Sequence, residues 1–306
     1  MKSRVQHKQR TPFLNAYLFW LRIATVLFVF IPIHQSAAQD TVSDSIFTAD
    51  RLEWQTEIVA EGVYWKKYLG DDLYNARLSI NVIEIDLTLS GIDLKLASIR
   101  EDLTHTSDLA IQFDAIAAIN GSFFDMNTGN SVVYIRADGE TVSRGAAGRN
   151  VYTENGGIGW DSGLDPVIIA RPDQGWATME FENLLASGPL LIQNGDIKEF
   201  SEDPFHVNRH PRTAVGLTHD NKLLLVAVDG RSFQSFGMTI PELARFFSEL
   251  NATHALNLDG GGSTVMWIDG MSENGIVNYP SDNFEFDHHG ERAVSNALLL
   301  IQTSNN

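Results

Sequence analysis

The sequence contains no cysteine in its 306 residues. Disulfides therefore cannot stabilise the fold, and an exported protein of this size must depend on its hydrophobic core instead. Hydrophobic residues make up 43% of the chain, which is enough for one large domain with a substantial core.

Positive charge is scarce. Twenty-two Lys and Arg residues stand against 39 Asp and Glu residues, which gives a formal net charge of −17. Because phosphate contacts depend mainly on Lys and Arg, this balance argues against nucleic acid or an anionic membrane surface as a partner. An anionic substrate would need a local basic pocket.

The N-terminal residues have the pattern of a secretion signal. Basic residues precede an apolar stretch over residues 16–33 that is interrupted only by Arg22, and Ser36 and Ala38 occupy the small positions before a cleavage site. We therefore predict a signal peptide over residues 1–38 and export to the periplasm or the extracellular space, without stable membrane insertion after cleavage. The alternative is a retained membrane anchor. Cleavage removes five basic side chains and no acidic one, so the formal charge moves from −17 to −22.

The remaining chain is predicted to form one domain. Residues 39–55 are polar and indicate a linker or N-terminal arm, and residues 56–306 indicate a single α/β domain of the mixed α+β type with a central mixed sheet. Gln193-Asn194-Gly195-Asp196 is typical of a hairpin turn. No solenoid repeat or low-complexity segment is present.

Three apolar runs of the kind found in buried strands end in the same way. Each is followed by a carboxylate or carboxamide and then by glycine, and a hydroxyl residue follows closely. Glycine permits close approach of the backbone to a ligand, so these turns indicate a binding edge. The three turns are Asn120-Gly121-Ser122, Asp229-Gly230-Arg231-Ser232 and Asp259-Gly260-Gly261-Gly262-Ser263.

A helix is predicted between the second and third of these turns. Thr239 stands three residues before Glu242, as in a capping box, and apolar residues then recur at helical spacing. Strand, helix and strand in this order favour a crossover with two parallel strands. The crossover would bring Asp229 and Asp259 close together.

The glycine-rich turn after Asp259 is the most specific of these signals. Three consecutive glycines cost chain entropy that a simple turn does not require, so we predict that Asp259 acts on substrate while the amides of Gly260, Gly261 and Gly262 bind an anion. A flexible connection between strands is the alternative. Asn120 and Ser122, followed by Phe124, suggest a polar group beside an aromatic wall suited to a sugar, or else a core turn capped by Asn120.

Arginines and histidines supply further candidates. Arg212, and less strongly Arg209, are suited to bidentate binding of phosphate or carboxylate, with a structural salt bridge as the alternative. For Glu291 and Arg292, an ion pair and a catalytic role are equally compatible with the sequence. The histidines at 206, 210, 288 and 289 lack the i, i+4 spacing of a helical zinc site, so neither a metal nor another cofactor is predicted.

Five ordered segments together resemble the motifs of the phosphodiester glycosidase family. These segments are 120–124, 210–216, 229–231, 257–264 and 291–298, and the resemblance extends from Gly62 to Ile301. It implies a mixed α/β domain that hydrolyses a sugar joined through its anomeric carbon to a phosphodiester, giving free sugar and a phosphomonoester.

The chemistry of such a substrate agrees with the residues present. A phosphate monoester leaves easily, so a strong general acid is less necessary than in ordinary glycoside hydrolysis, and an arginine can stabilise the developing charge. Catalysis is assigned to Asp259 first, Asp229 second, and Arg212 as the clamp. The predicted substrate-binding residues are Asn120, Ser122, Phe124, Arg231, Asn257, Gly260, Gly261, Gly262, Ser263 and Arg292.

Two alternatives remain open at this point. One is a carbohydrate-binding or envelope-assembly protein that uses the same site without turnover, and the other is a metal-dependent phosphodiesterase that cleaves the P–O bond. The sequence identifies neither the sugar nor the oligomeric state.

Overall fold

The structure is a computed structural model and describes residues 49–89, 91–145, 154–161 and 163–303. Strands dominate these residues, and helices are few. The strands are β1 (Gln55–Ala60), β2 (Val63–Gly70), β3 (Leu78–Asp86), β4 (Ile92–Ser98), β5 (Ala115–Asn120), β6 (Tyr134–Ala137), β7 (Glu140–Arg144), β8 (Gly156–Trp160), β9 (Val167–Ala170), β10 (Asn183–Ser187), β11 (Leu190–Gln193), β12 (Asp196–Ile197), β13 (Arg212–Thr218), β14 (Lys222–Val228), β15 (Ala252–Asn257), β16 (Met266–Ile268) and β17 (Asn296–Gln302). The α-helices are α1 (Thr106–Gln112), α2 (Pro204–Val207) and α3 (Ile240–Glu249).

The strands form three sheets. The largest has eight strands in the order β1-β2-β3-β14-β13-β15-β11-β12, the second has the order β7-β6-β10-β8-β9, and the third has the order β16-β5-β17-β4. The main hydrophobic core contains residues of all three sheets, such as Ile83, Leu185 and Leu298. One face of the large sheet therefore packs against the two smaller sheets.

Neighbouring strands pair in antiparallel fashion throughout the described residues, which corrects the expected mixed sheet. β14 and β15 do run in the same direction, but β13 lies between them and pairs with both. β13 directly precedes β14 and forms a hairpin with it, and β15 then pairs with the other side of β13. Local sequence patterns predict each strand separately and do not indicate this order. The fold is thus α+β with antiparallel sheets.

Helix α3 covers the other face of the large sheet. Thr239 accepts a hydrogen bond from the amide of Glu242, whose side chain accepts one from the amide of Thr239, so the capping box is present. Phe246 and Phe247 are fully buried in the core beneath this helix. Gly216 of β13 makes room for this packing, because a Cβ there would lie 2.6 Å from the Phe247 ring.

The packed domain begins before residue 55. Ala49 and Leu52 are buried in the core beneath α3, and the amide of Ala49 donates to Oε2 of Glu249 at 2.9 Å. Residues 49–55, which the sequence pattern assigns to an arm, therefore contact the domain. The predicted signal peptide over residues 1–38 lies outside the described residues. Among the residues that are described, no helix is long and apolar enough to cross a bilayer.

Candidate active site

The ends of several strands meet at one edge of the large sheet, and backbone hydrogen bonds join them. The amide of Asp259 donates to the carbonyl of Gly121 at 3.0 Å, and the amide of Gly261 donates to the carbonyl of Pro211 at 2.9 Å. A Cβ on Gly230 would lie 2.7 Å from the nitrogen of Pro211. The segments around residues 121, 211, 230 and 260 thus lie together, although they are far apart in the sequence.

Asn120 links these segments from within the core. Its Oδ1 accepts hydrogen bonds from Thr213 Oγ1 at 2.7 Å and from the amide of Val265 at 3.1 Å, while its Nδ2 donates to the carbonyl of Asp259 at 2.7 Å. The residue is fully buried. Asn120 therefore fixes the position of the glycine loop, and its role in substrate binding stays a prediction.

Two other predicted polar contacts are also internal. Asn257 is fully buried and donates to the carbonyls of Gly188 and Leu258 at 2.9 and 2.7 Å. Ser122 is buried and donates to Ser187 Oγ at 2.9 Å. Both side chains support the loops beneath the site, and neither presents a polar group to the surface.

The glycine loop over residues 260–262 is shaped by close contacts. A Cβ on Gly260 would lie 2.5 Å from the carbonyl oxygen of Pro211, and Gly261 has a φ of +65°, where a side chain is strained. The amide of Gly260 donates to Oδ1 of Asp259 at 3.0 Å, and the amide of Gly261 donates to Pro211. Two of the three glycine amides are therefore engaged within the protein, which weakens the prediction of an anion held by all three.

Two arginines lie directly against this loop. A Cβ on Gly261 would lie 2.8 Å from Nη2 of Arg231, and a Cβ on Gly262 would overlap the guanidinium of Arg292. Arg292 is paired with Asp282 through Nε at 3.1 Å and also through Nη2. Arg231 is exposed to solvent. An anion at Gly261 can therefore reach its guanidinium.

Arg212, the predicted phosphate clamp, is buried and bonded to backbone carbonyls. Its side chain is 1% exposed and donates to the carbonyls of Met238 at 2.9 Å, Phe205 at 2.7 Å and Asn208 at 3.1 Å. Burial lowers the pKa of Arg212 to about 9, so the group stays charged at neutral pH. This guanidinium holds together the segments before β13 and after β14, and the phosphate clamp stays a prediction.

Two further charged residues of the motifs also support the fold. Arg209 is paired with Glu242 at the start of α3. Glu291 accepts hydrogen bonds from the amide and the Oγ of Ser107 at 3.0 and 2.6 Å, so it caps helix α1, and burial raises its pKa.

Asp229 lies beside the site but beneath its surface. The carboxylate is 1% exposed and accepts hydrogen bonds from Ser79 Oγ at 2.6 Å, Asn278 Nδ2 at 2.9 Å and the amide of Tyr279 at 2.8 Å. Burial raises its pKa to about 6, although these hydrogen bonds favour the charged form. Asp259, by contrast, is partly exposed on the glycine loop.

The remaining predicted contacts differ in accessibility. Phe124 is partly exposed, as a sugar-facing ring requires. Ser263 is fully buried, and its Oγ has no hydrogen-bond partner among the described residues.

Sequence reasoning considered the His210 side chain only as a metal ligand and did not single out Asp282. His210 is half-buried, and burial together with the charges of Arg212 and Arg231 lowers its pKa. The position of His210 next to Pro211 and Arg212 could have identified it as a residue near the site, but a search for metal ligands does not use that position. Asp282 has no motif signal, since only the fold brings it to Arg292. Within the described ranges, no group of three or more His, Asp or Glu side chains is placed to hold a metal.

A cavity of about 870 Å³ lies on the other side of Asp229. Ser79 and Tyr279, which both donate to the Asp229 carboxylate, line this cavity together with Trp65. Neither the glycine loop nor Arg231 or Arg292 lines it. We therefore place the candidate site around the glycine loop, because Asp259, Arg231 and Arg292 lie there.

Fold and site together define a sheet-rich α+β domain with a carboxylate and an exposed arginine at a glycine loop. The family model for phosphodiester glycosidases matches residues 113–301, so the chain belongs to the phosphodiester glycosidase family. The resemblance of the five motifs is thereby confirmed.

Named relatives agree with this membership. The N-acetylglucosamine-1-phosphodiester alpha-N-acetylglucosaminidase of Mus musculus is 30% identical over 190 residues, which are 58% of this chain and 35% of the mouse protein. The Homo sapiens protein of the same name is 29% identical over 184 residues, or 56% of this chain and 34% of the human protein. The match thus spans about a third of the length of these relatives.

Solved structures share the fold. The catalytic domain of the zebrafish N-acetylglucosamine-1-phosphodiester alpha-N-acetylglucosaminidase has a TM-score of 0.61 at 22% identity, covering 82% of this chain and 84% of that domain. A hypothetical protein from Synechocystis has a TM-score of 0.58 at 18% identity, covering 82% of this chain and 64% of that protein. At these identities the likeness concerns the fold alone.

Proposed function

We propose that this protein is an exported hydrolase that cleaves the glycosidic bond of a sugar-1-phosphodiester and releases free sugar and a phosphomonoester. Family membership supports the reaction class. The observation that carries the proposal is the exposed guanidinium of Arg231 against Gly261, on the loop that begins with Asp259.

Phosphate binding is assigned to Arg231. Its planar guanidinium can donate two parallel hydrogen bonds to a phosphodiester. The lack of a side chain at Gly261 lets this guanidinium lie directly against the glycine loop. Arg292 lies against Gly262, but its positive charge is already balanced by the carboxylate of Asp282. We therefore assign the larger electrostatic contribution to Arg231 and a positioning contribution to Arg292.

Bond cleavage is assigned to Asp259. The bond between the anomeric carbon and the phosphate oxygen breaks, and its electron pair leaves with the phosphomonoester. Water forms the new bond to the anomeric carbon, and its proton passes to a base. Asp259 either stabilises the cationic carbon, attacks it, or accepts that proton. Arg231 stabilises the negative charge that grows on the leaving phosphate.

Asp229 and Arg212 act through other residues in this proposal. Asp229 holds Ser79 and the backbone at Tyr279, and Arg212 holds the carbonyls of Phe205 and Met238. Each is buried away from the surface that a substrate reaches. Both are therefore positioning residues.

The decisive experiment follows an oxygen label. The mature protein is incubated in H₂¹⁸O with the methyl phosphodiester of N-acetylglucosamine-1-phosphate, a first substrate suggested by the names of the mouse and human relatives. Cleavage of the glycosidic bond places ¹⁸O in the free sugar and none in methyl phosphate. Label in the phosphate product would instead indicate P–O cleavage, as in a phosphodiesterase.

Two matched variants identify the carboxylate. Asp259→Asn keeps the shape of the side chain and removes its charge, so we expect substrate binding to persist while turnover falls by about 10² or more. Asp269→Asn makes the same change at an exposed aspartate that follows β16 and should leave kcat unchanged. Equal activity of Asp259→Asn and Asp269→Asn would contradict the assignment. Binding without turnover of any sugar-1-phosphodiester by the wild-type protein would favour the non-catalytic alternative.

A further inference from the structure

The cavity on the other side of Asp229 has a size that suits a small ligand. Its volume of about 870 Å³ lies within the range of small-molecule pockets, which is roughly 300–1,000 Å³. Side chains of β2 and β3 line it, together with residues of the loop between β16 and β17. The glycine loop does not line this cavity, so the proposed reaction gives it no role.

Asn81 presents an unpaired donor to the cavity. The residue is 3% exposed, and its Oδ1 accepts a hydrogen bond from Trp65 Nε1 at 3.0 Å. Because an indole N–H can only donate, this bond fixes the orientation of the amide and leaves Nδ2 as a donor. Nδ2 has no hydrogen-bond partner among the described residues, although buried polar groups are nearly always paired. A molecule in the cavity can supply the acceptor.

Other polar groups of the lining can accept hydrogen bonds. Ser79 Oγ donates its proton to Asp229 Oδ2 at 2.6 Å, so towards a ligand it can only accept. His288 Nδ1 lies 2.6 Å from the carbonyl of Asn278, which makes Nδ1 the donor and leaves Nε2 of the neutral ring as an acceptor. The Tyr279 hydroxyl, which has no partner within the described ranges, can donate or accept. The lining thus offers donors and acceptors together.

The charged residues around the cavity disfavour an anion. Arg51 and Lys67 line it, but Glu53 and Asp72 do so as well, so the charges of the lining balance. The Asp229 carboxylate is buried next to the cavity and adds negative charge. An anionic ligand would therefore meet repulsion that no surplus of positive charge offsets.

The aromatic rings of the lining are poorly suited to a planar base. Lys67 Nζ lies 4.5 Å from the centre of the Trp65 ring, and Tyr279 stacks on Phe286 at 3.9 Å and on His288 at 4.5 Å. These rings already have stacking partners, whereas a base needs an open ring face. Their edges still supply apolar surface beside the polar groups, as small-molecule sites usually do.

A neutral saccharide matches this combination of groups. Each hydroxyl can both donate and accept, so one sugar ring can pair with the amide donor of Asn81 and with the acceptors of Ser79 and His288. A carboxylate would only accept and an ammonium group would only donate. We propose that this cavity is a second ligand site, separate from the glycine loop, which binds a neutral saccharide.

Calorimetric titration of the mature protein tests the ligand class. The neutral ligands are glucose, galactose, mannose and maltose. The uronates of the three monosaccharides have the same rings with a carboxylate, and adenosine supplies a planar base. We expect saturable binding of at least one neutral sugar, with the corresponding uronate bound about 10-fold more weakly or less.

Two variants locate the bound sugar. Asn81→Asp keeps the shape of the side chain and the acceptor for Trp65 but removes the donor, so Kd should rise about 10-fold or more. Asn183→Asp makes the same change at a buried asparagine outside the cavity, whose Oδ1 accepts from the amide of Asp138 at 3.1 Å, and should leave Kd unchanged. If Asn81→Asp does not fold, Tyr279→Phe decides instead, and the loss of its hydroxyl should raise Kd by about 3- to 10-fold.

Several results would overturn the second site. One is the absence of binding by all four neutral sugars, and another is an equal Kd in Asn81→Asp and Asn183→Asp. Sugar binding that is lost in Arg231→Ala and kept in Asn81→Asp would place the sugar at the glycine loop. Tighter binding of a uronate or of adenosine would exclude a site for neutral saccharides. None of these readouts requires hydrolysis, so the second site can fail while the proposed function stands, and the reverse.

Discussion

Replacing Asp229 by asparagine tests whether this buried carboxylate positions other residues or takes part in the chemistry. The folded protein holds the Asp229 pKa at about 6, above the unfolded value of 3.8, because burial disfavours the charged form. The folded state therefore binds more protons than the unfolded state between these two values. It follows that the contribution of Asp229 to the free energy of unfolding is largest below about pH 4 and is lost as the pH rises through 6.

The size of this effect follows from the two pKa values. Between pH 4 and pH 7 the Asp229 carboxyl alone should lower the free energy of unfolding by about 2 kcal/mol. The carboxamide introduced by Asp229→Asn cannot ionise, and its oxygen can still accept from Asn278 and Tyr279 while Ser79 rotates to accept from its nitrogen. The variant should therefore fold and should lose this part of the pH dependence.

The assay is urea denaturation of both proteins at pH 4, 5, 6 and 7. The difference in unfolding free energy between Asp229→Asn and wild type should shift by about 2 kcal/mol in favour of the variant as the pH rises from 4 to 7. A difference that does not vary with pH would refute the raised pKa. Turnover supplies the second readout: a kcat loss as large as that of Asp259→Asn, in a folded variant, would show that Asp229 takes part in the chemistry.

The other predictions concern the arginines, the glycine loop, metals and processing. Arg231→Ala should lower kcat/KM by about 10² to 10³ with little change in melting temperature. Arg212→Ala should instead lower the unfolding free energy by about 3 kcal/mol or more, because it removes three hydrogen bonds made by a charged group. The reverse pattern in kinetics and denaturation would exchange their roles. Gly261→Val should abolish turnover, since its Cβ would meet Arg231. The left-handed backbone at this position should also cost about 1–2 kcal/mol of stability. An active variant would show that Gly261 is not part of the site. Activity should survive dialysis against EDTA, and a loss that one divalent metal restores would contradict this. N-terminal sequencing of the exported protein should begin at Gln39, and a membrane-bound species that keeps residues 16–33 would disprove cleavage.

Much of the local structure follows from sequence. Apolar and polar residues alternate through most of residues 77–87, a pattern typical of a strand, and β3 spans Leu78–Asp86. The capping box at Thr239 begins α3. The hairpin turn predicted over residues 193–196 joins β11 and β12, with Asn194 and Gly195 both at positive φ. These features depend on neighbours in the chain, so the chain alone can indicate them.

Roles of individual side chains were harder to predict, because direction and depth depend on contacts that are distant in sequence. Arg212 and Arg231 both belong to motifs suited to anion binding. The first is buried and donates to three backbone carbonyls, whereas the second remains exposed. Asn120 could bind a sugar or hold a turn, and its four hydrogen bonds to the surrounding protein decide for the turn. The residue types and their spacing in the sequence would be the same whether these side chains bound a ligand or supported the fold.

The buried position of Asn120 has a consequence for producing the protein in eukaryotic secretory cells. Asn120-Gly121-Ser122 and Asn251-Ala252-Thr253 both match the acceptor sequence for N-linked glycans. Asn251 is exposed and can carry a glycan on the folded surface. At Asn120 the atom that would be modified is Nδ2, which donates to the carbonyl of Asp259 inside the domain. A glycan added to Asn120 of the nascent chain would block folding, so the quality control of the host cell would remove chains that are glycosylated there.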